Sequence, residues 1–177
     1  MGGVIFDQDH KLGSVVVFCR LMTFYPEFRN IFYYRSGLLG RVFTPLCKPV
    51  ASLYIVTPEI RPGLFIQHGF ATIISVRSIG SNCWINQQVT IGFSNDMDRP
   101  TLGDGVTVHA GAKIIGEVHV GNYSTIGANA VVVKDVPGNS TAVGVPARLI
   151  RRDGVRVDEP LGQSEKADSL NGNKASR

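Results

Sequence analysis

Histidine is the side chain whose ordinary pKa lies near neutrality, which suits it to take a proton from a hydroxyl group at cellular pH. His68 stands directly before Gly69 in IQHGFATII, and His109 and His119 lie in VHAGAKIIGEVHVG. Each has a chemical reading, as a base or a ligand, and a bland one, as a histidine facing solvent. A zinc site built from all three is not expected, because His109 and His119 are ten residues apart and no HxxxxH pair exists. The thiols offer less. Cys19, Cys47 and Cys83 are odd in number, far apart and without a CxxC pair, which argues against a disulfide framework or a thiolate zinc site and fits a reducing cytoplasm. Cys83 has no adjacent base, so no covalent route is indicated.

The elements that must position these groups are set by a repeat. Every sixth residue from Leu102 reads Leu102, Val108, Ile114, Val120, Ile126 and Val132, and four places after each stand Val106, Ala112, Val118, Ser124, Ala130 and Val136. The same phase runs upstream through Ile73, Ile79, Ile85 and Ile91, with Cys83 and Val89 at the second position. Glycine follows the aliphatic residue at Gly80, Gly92, Gly103, Gly121 and Gly127. A hexad with those features is a short strand and a corner, and three hexads make one triangular coil with the aliphatic side chains inside. Apolar residues at helical spacing and few glycines, the alternative, do not occur. The spacing therefore predicts a mainly β protein with a parallel β-helix as its body. Arg77 falls at a position expected to be inward and small, and this phase does not account for it. Between Ile91 and Leu102 the spacing is eleven, so five residues within GFSNDMDRPT leave the coil as a loop, either a tolerated insertion or a functional one.

Composition bounds the rest. The chain has 177 residues, 44% hydrophobic and 18% charged, which fits one ordinary domain with enough apolar side chains for a core. Eighteen Lys and Arg against fourteen Asp and Glu give a net charge of +4, but the basic residues are scattered apart from Arg151 and Arg152, so no nucleic-acid partner is expected. The N-terminus MGGVIFDQDHK is acidic where a signal peptide is basic, and the uncharged run Pro62 to Val76 is too short to span a bilayer as a helix. Residues 1–54 are expected to form a helical cap segment, residues 55–150 the β-helix, and residues 151–177, polar and poor in aliphatics, a disordered tail. The cap segment carries Lys11, Arg20, Arg29, Arg35, Arg41 and Lys48 among aromatics such as Phe24, Tyr25 and Phe28, so peripheral contact with an anionic membrane is its alternative to covering the solenoid end.

The hexads, IQHGFATII, VTIG before an insertion loop, HAGAKIIGEVHVG and IGANAVVVKDVPGNSTAVGVPAR together resemble the hexapeptide-repeat acyltransferases, serine acetyltransferase and its short sugar-acetylating relatives in particular. The resemblance implies a left-handed parallel β-helix, a homotrimer with active sites between subunits, and acetyl-CoA as donor. It implies His68 as general base. The family's aspartate upstream of that histidine is missing, and Glu59 is the only acid in SLYIVTPEIRPG, hence the candidate partner. CoA is expected along Ala110, Gly111, Lys113, Ala128 and Asn129, closed by Gly144, Pro146 and Arg148.

Where serine acetyltransferases carry an aspartate before the histidine, an Asp-Pro in the helical portion and an Arg-His pair in the loop, this chain has Gln67, Tyr25-Pro26 and only Arg99. Fewer charges for a zwitterion favour a polyhydroxylated acceptor, because desolvated charges need partners. The expectation is an O-acetyltransferase acting on a sugar or sugar nucleotide of surface polysaccharide, with Gln67 and Arg99 holding the acceptor. Serine O-acetylation is the first alternative and a non-catalytic solenoid scaffold the second.

Overall fold

A computed structural model describes residues 13–95 and 98–162. The chain divides after Leu53 into two compact units. In the first, helix α1 (Ser14–Phe24) and helix α2 (Pro26–Arg41) meet at Tyr25. Proline at the first helical position and Glu27 in the first turn suit the start of α2. Arg29 ties the end of α1 to the segment after α2: its Nε and Nη2 donate to the carbonyls of Met22 and Thr23 and its Nη1 to that of Lys48, each at 2.6 Å. Phe18 packs edge-on against Phe32 with centroids 5.2 Å apart. Neither helix is long and apolar enough to cross a membrane.

The second unit is a parallel β-solenoid, as the repeat requires. The strands β1 (Leu53–Ile55), β2 (Glu59–Ile60), β3 (Phe65–Ile66), β4 (Thr72–Ile74), β5 (Ser78–Ile79), β6 (Trp84–Ile85), β7 (Thr90–Gly92), β8 (Thr101–Leu102), β9 (Thr107–Val108), β10 (Lys113–Ile115), β11 (His119–Val120), β12 (Thr125–Ile126), β13 (Val131–Val132) and β14 (Ser140–Val143) wind through three sheets in turn. The first sheet runs β1-β4-β7-β10-β13, the second β11-β8-β5-β2, and the third continues from β3 through β6, β9, β12 and β14. Ile79, Ile85, Ile91, Leu102, Val108, Ile114, Val120, Ile126 and Val132 are all buried, and Cys83, Val89, Val106, Ala112, Ser124 and Ala130 fill the second inward position. Each large side chain removed from water contributes about 1.5–3 kcal/mol.

One stretch departs from the expected phase. Ile74, not Ile73, pairs with Ile91 and is fully buried, while Ile73 is 45% exposed. Ile74 to Ile79 is five residues where the hexad has six, so Val76 turns inward and Arg77 turns out to an ion pair with Glu117 at 3.3 Å. The corners also differ from expectation. The glycines after the aliphatic residues have ordinary negative φ, and most of the solenoid's left-handed residues fall in two columns, Ala71, Gln88, Gly111 and Asn129 in one, Gly63, Asn82, Gly105, Tyr123 and Asn139 in the other. Gly80 and Gly121 are required for a different reason: a Cβ there would strike the backbone of Gly103 or Gly138 in the next coil.

Disorder from residue 151 is corrected for the residues described. Strands β15 (Arg148–Arg152) and β16 (Val155–Pro160) form an antiparallel hairpin that extends the third sheet. Asp153 and Gly154, both at positive φ, are a two-residue hairpin turn. Leu149 and Leu161 supply the buried apolar surface, and Arg148–Asp158 and Arg152–Glu159 pair across the strands. The remainder of the tail, 163–177, lies outside the described residues.

Ile114 is fully buried on β10, between β7 and β13. Ile114→Ala should destabilise the protein by about 2–5 kcal/mol in chemical denaturation, the usual result of opening a cavity in a packed core.

Candidate functional site

The corner joining the third sheet to the first carries most of the chemistry. From Ile85 to Ile91, Val108 to Ile114 and Ile126 to Val132 the chain takes six residues to turn it, but from Ile66 to Ile74 it takes eight. The hydrogen bonds between coils locate the surplus. Gln67, Asn86 and His109 each donate a backbone N–H to the strand end of the next coil, at Ile85, Val108 and Ile126, and so occupy equivalent places. Gln88 donates to Phe70, Gly111 to Gln87 and Asn129 to Ala110, so Phe70, Gln87 and Ala110 are equivalent too. The two additional residues are His68 and Gly69.

His68 is exposed and has φ 53°, a left-handed conformation that L residues other than Asn, Asp and His seldom adopt. Its carbonyl accepts the N–H of Phe70 at 2.7 Å, which tightens the bulge. Gln67 Nε2 lies 3.4 Å from the imidazole Nε2. The corner thus extrudes an imidazole on the face that carries Gln87 and Gln88 in the next coil and a column of small residues beyond them. A left-handed non-glycine residue costs about 1–3 kcal/mol, at His68 as at Ala71 and Gln88 on the same corner.

Ala110, Gly111, Ala128, Asn129 and Gly144 stack along the same corner in successive coils, so the structure brings these candidates together with His68 and Gln67. Lys113 lies beside them, its Nζ donating to the carbonyls of Gln88 at 2.6 Å and Gly111 at 3.0 Å. Pro146 follows Gly144 across a cis bond from Val145. Arg148 is committed elsewhere, to Asp158 at 2.9 Å.

Two candidates do not join this cluster within one chain. Glu59 is on β2, in the second sheet, and its carboxylate faces Arg61 at 3.5 Å. Arg99 is in the loop between β7 and β8, at the corner of the first and second sheets, with its guanidinium 5.5 Å from the Phe93 ring centroid. That loop is knotted by Asp98, which accepts from the Ser94 hydroxyl at 2.5 Å and from the backbone N–H groups of Ser94 and Asn95 at 2.9 Å. The Ser94 hydroxyl first, and then these N–H groups, hold the Asp98 carboxyl below its ordinary pKa. Among the described residues no group of three or more His, Cys, Asp or Glu gathers as a metal site.

Sequence reasoning missed the pair Asn86 and His109, 3.5 Å apart from Nδ2 to Nδ1, with Trp84 Nε1 donating to Asn86 Oδ1 at 2.9 Å. It also missed that His68 and Gly69 are an insertion. The eight-residue spacing was the available signal, hidden by taking Ile73 as the inward residue.

Comparison with known proteins bears on what this corner does. Residues 99–134 match the family described as bacterial transferase hexapeptide (six repeats). A serine acetyltransferase of Synechococcus elongatus is 35% identical over 182 residues, covering 94% of this chain and 72% of that protein. One from Staphylococcus aureus is 38% identical, covering 94% of this chain and 84% of the relative. Among solved structures, the serine acetyltransferase of Neisseria gonorrhoeae superposes with a TM-score of 0.61 at 28% identity over 77% of this chain, and that of Brucella abortus with 0.57 at 31% over 70%. The chain spans 59% and 52% of those two solved chains. The Neisseria enzyme is also known in complex with serine. These similarities overturn the expectation of a sugar or sugar-nucleotide acceptor, since the proteins compared are named for serine. The missing charges at Gln67, at Tyr25-Pro26 and in the loop were too local a basis for that choice.

If the bulge is strained, His68→Gly should raise the stability of the fold, by a few tenths to about 1 kcal/mol, because glycine adopts the left-handed region freely. A lower melting temperature for that variant would show that the imidazole is held for packing.

Proposed function

Because the chain belongs to the serine acetyltransferase family of hexapeptide-repeat acyltransferases, we propose that it transfers the acetyl group of acetyl-CoA to the hydroxyl of L-serine. The observation that carries this reading is similarity along 94% of the chain to proteins named for that activity. In it, the His68 imidazole takes the serine hydroxyl proton as the oxygen attacks the thioester carbonyl carbon. The tetrahedral intermediate then collapses, the carbon–sulfur bond breaks, and the CoA thiolate leaves and recovers the proton from the imidazolium. A positioned base of this kind contributes about 10²–10⁴ in rate. Support for His68 is its extrusion from the corner and its place on the face that carries the small-residue column.

The pantetheine arm lies along Ala110, Gly111, Ala128, Asn129 and Gly144, where a larger side chain would obstruct it, with Lys113 and Pro146 at its flank. Arg148 meets a CoA phosphate only by leaving Asp158. Glu59 and Arg99 open on other faces than His68, so in this reading a neighbouring copy brings them to it, which is what a homotrimer with sites between subunits provides. Serine's two charges need partners once desolvated. The Gln67 side-chain carbonyl accepts from the ammonium and the Arg99 guanidinium pairs with the carboxylate. Residues 55–150 are then the acyltransferase domain, and the cytoplasm, where acetyl-CoA is made and used, is its location.

Release of free CoA thiol from acetyl-CoA with L-serine tests the reading. Serine-dependent release by the parent protein is expected, with His68→Ala slower by a factor of about 10²–10⁴. Undiminished release in the variant removes His68 as the base, and no release by a parent that binds CoA removes serine as the acceptor.

A further inference from the structure

His109 sits on the same corner as His68 and has no part in the account above. The N–H of Trp84 can only donate, so its 2.9 Å contact fixes Asn86 with Oδ1 toward the indole and Nδ2 toward His109. Nδ2 can only donate, so the tautomer that suits this 3.5 Å contact accepts at Nδ1 and carries its ring proton on Nε2. Trp84 is itself braced by Phe65, edge-on with centroids 5.5 Å apart. The position equivalent to His109 in the following coil is Gly127, whose lack of a side chain leaves the ring open on that side. The imidazole is exposed, and the result is a fixed N–H donor at the edge of the small-residue column.

Its distance from the reacting centre follows from coil stacking. His109 is equivalent to Gln67 two coils away, and strands stack about 4.8 Å apart, so His109 lies roughly 9.6 Å along the axis from the coil that carries His68. In a CoA thioester the second amide carbonyl carbon is eight bonds from the sulfur. An extended chain advances about 3.5 Å for every three bonds, which places that carbonyl roughly 9 Å from the sulfur.

We propose that His109 is a donor-binding residue whose Nε2–H hydrogen-bonds the second amide carbonyl of the pantetheine arm, with Asn86 and Trp84 as positioning residues that set its tautomer. This rests on the reading that the donor is a CoA thioester reacting at His68. It assigns to this chain a side-chain contact in the coil where Ala110 and Gly111 begin the small-residue column.

Three donors separate the possibilities: acetyl-CoA, S-acetylpantetheine, and S-acetyl-N-acetylcysteamine, which keeps only the first amide. His109→Ala should raise KM for acetyl-CoA and S-acetylpantetheine about tenfold with kcat changed less than about twofold, the loss appropriate to one hydrogen bond. The preference of the parent for S-acetylpantetheine over the truncated donor should narrow by the same factor. His109→Gln, which keeps an N–H donor, should recover most of the affinity, and Asn86→Leu should show a smaller shift in the same direction. Calorimetric titration of CoA without acceptor should show the same order of affinities, so failure of the serine reading leaves this result readable. A KM and CoA affinity unmoved in His109→Ala, or an equal loss with the truncated donor, overturns the proposal.

Discussion

Parallel stacking of coils at the β-sheet spacing governs everything else in the solenoid. Each backbone N–H on a face must meet the carbonyl of the coil beside it, so every residue is tied to the same position one coil away. The interior has room for one large aliphatic and one small residue per hexad, and the alternation of Ile126 with Ala130, or Ile114 with Val118, meets that demand. Where the backbones of successive coils approach most closely, as at Gly80 and Gly121, no side chain fits. Under this constraint a residue that does not fit the period has nowhere to go but outward. His68 is such a residue, and so are Phe93, Ser94 and Asn95 in the loop that follows Gly92. The regular part of the sequence builds the scaffold, and the departures from regularity deliver the imidazole and the loop guanidinium.

The scaffold was legible because its period is rigid. Six aliphatic residues in phase from Leu102 to Val132 locate the strands β8 to β13, and each of them is buried. Legibility failed where the period itself changed. One residue fewer between Ile74 and Ile79, combined with two more between Ile66 and Ile74, leaves the total nearly regular, so Ile73 and Arg77 look inward on paper while Ile74 and Val76 are inward in the fold. The hairpin at 148–160 was missed for a different reason. Its stability rests on Asp153 and Gly154, two buried leucines and two ion pairs, whereas a reading by composition registers only its polarity.

The site was legible as a list of residues more than as an arrangement. His68, Gln67 and the small-residue column share a corner because the coils stack. Glu59 and Arg99 are near His68 in sequence or in motif but open on other faces, and one chain does not bring them to it. The inference from missing charges to a sugar acceptor treated three places in the sequence as if they were the whole recognition surface. In the proposed homotrimer a ligand at the subunit boundary would draw its charges from more than one copy, and no single stretch of sequence displays that set. Conversely, Asn86 and His109 are 23 residues apart, and only the register of two adjacent coils shows that Trp84, Asn86 and His109 form one hydrogen-bonded group.

In the proposed reaction the two-residue bulge presents His68 to an acceptor hydroxyl. This is tested most directly by a crystal structure with CoA and L-serine bound together. The serine hydroxyl oxygen should lie within about 2.6–3.2 Å of an imidazole nitrogen of His68, with the CoA sulfur on the other side of that oxygen and the pantetheine arm along the corner. Serine seated away from His68, or CoA lying on a different corner of the solenoid, would contradict the account.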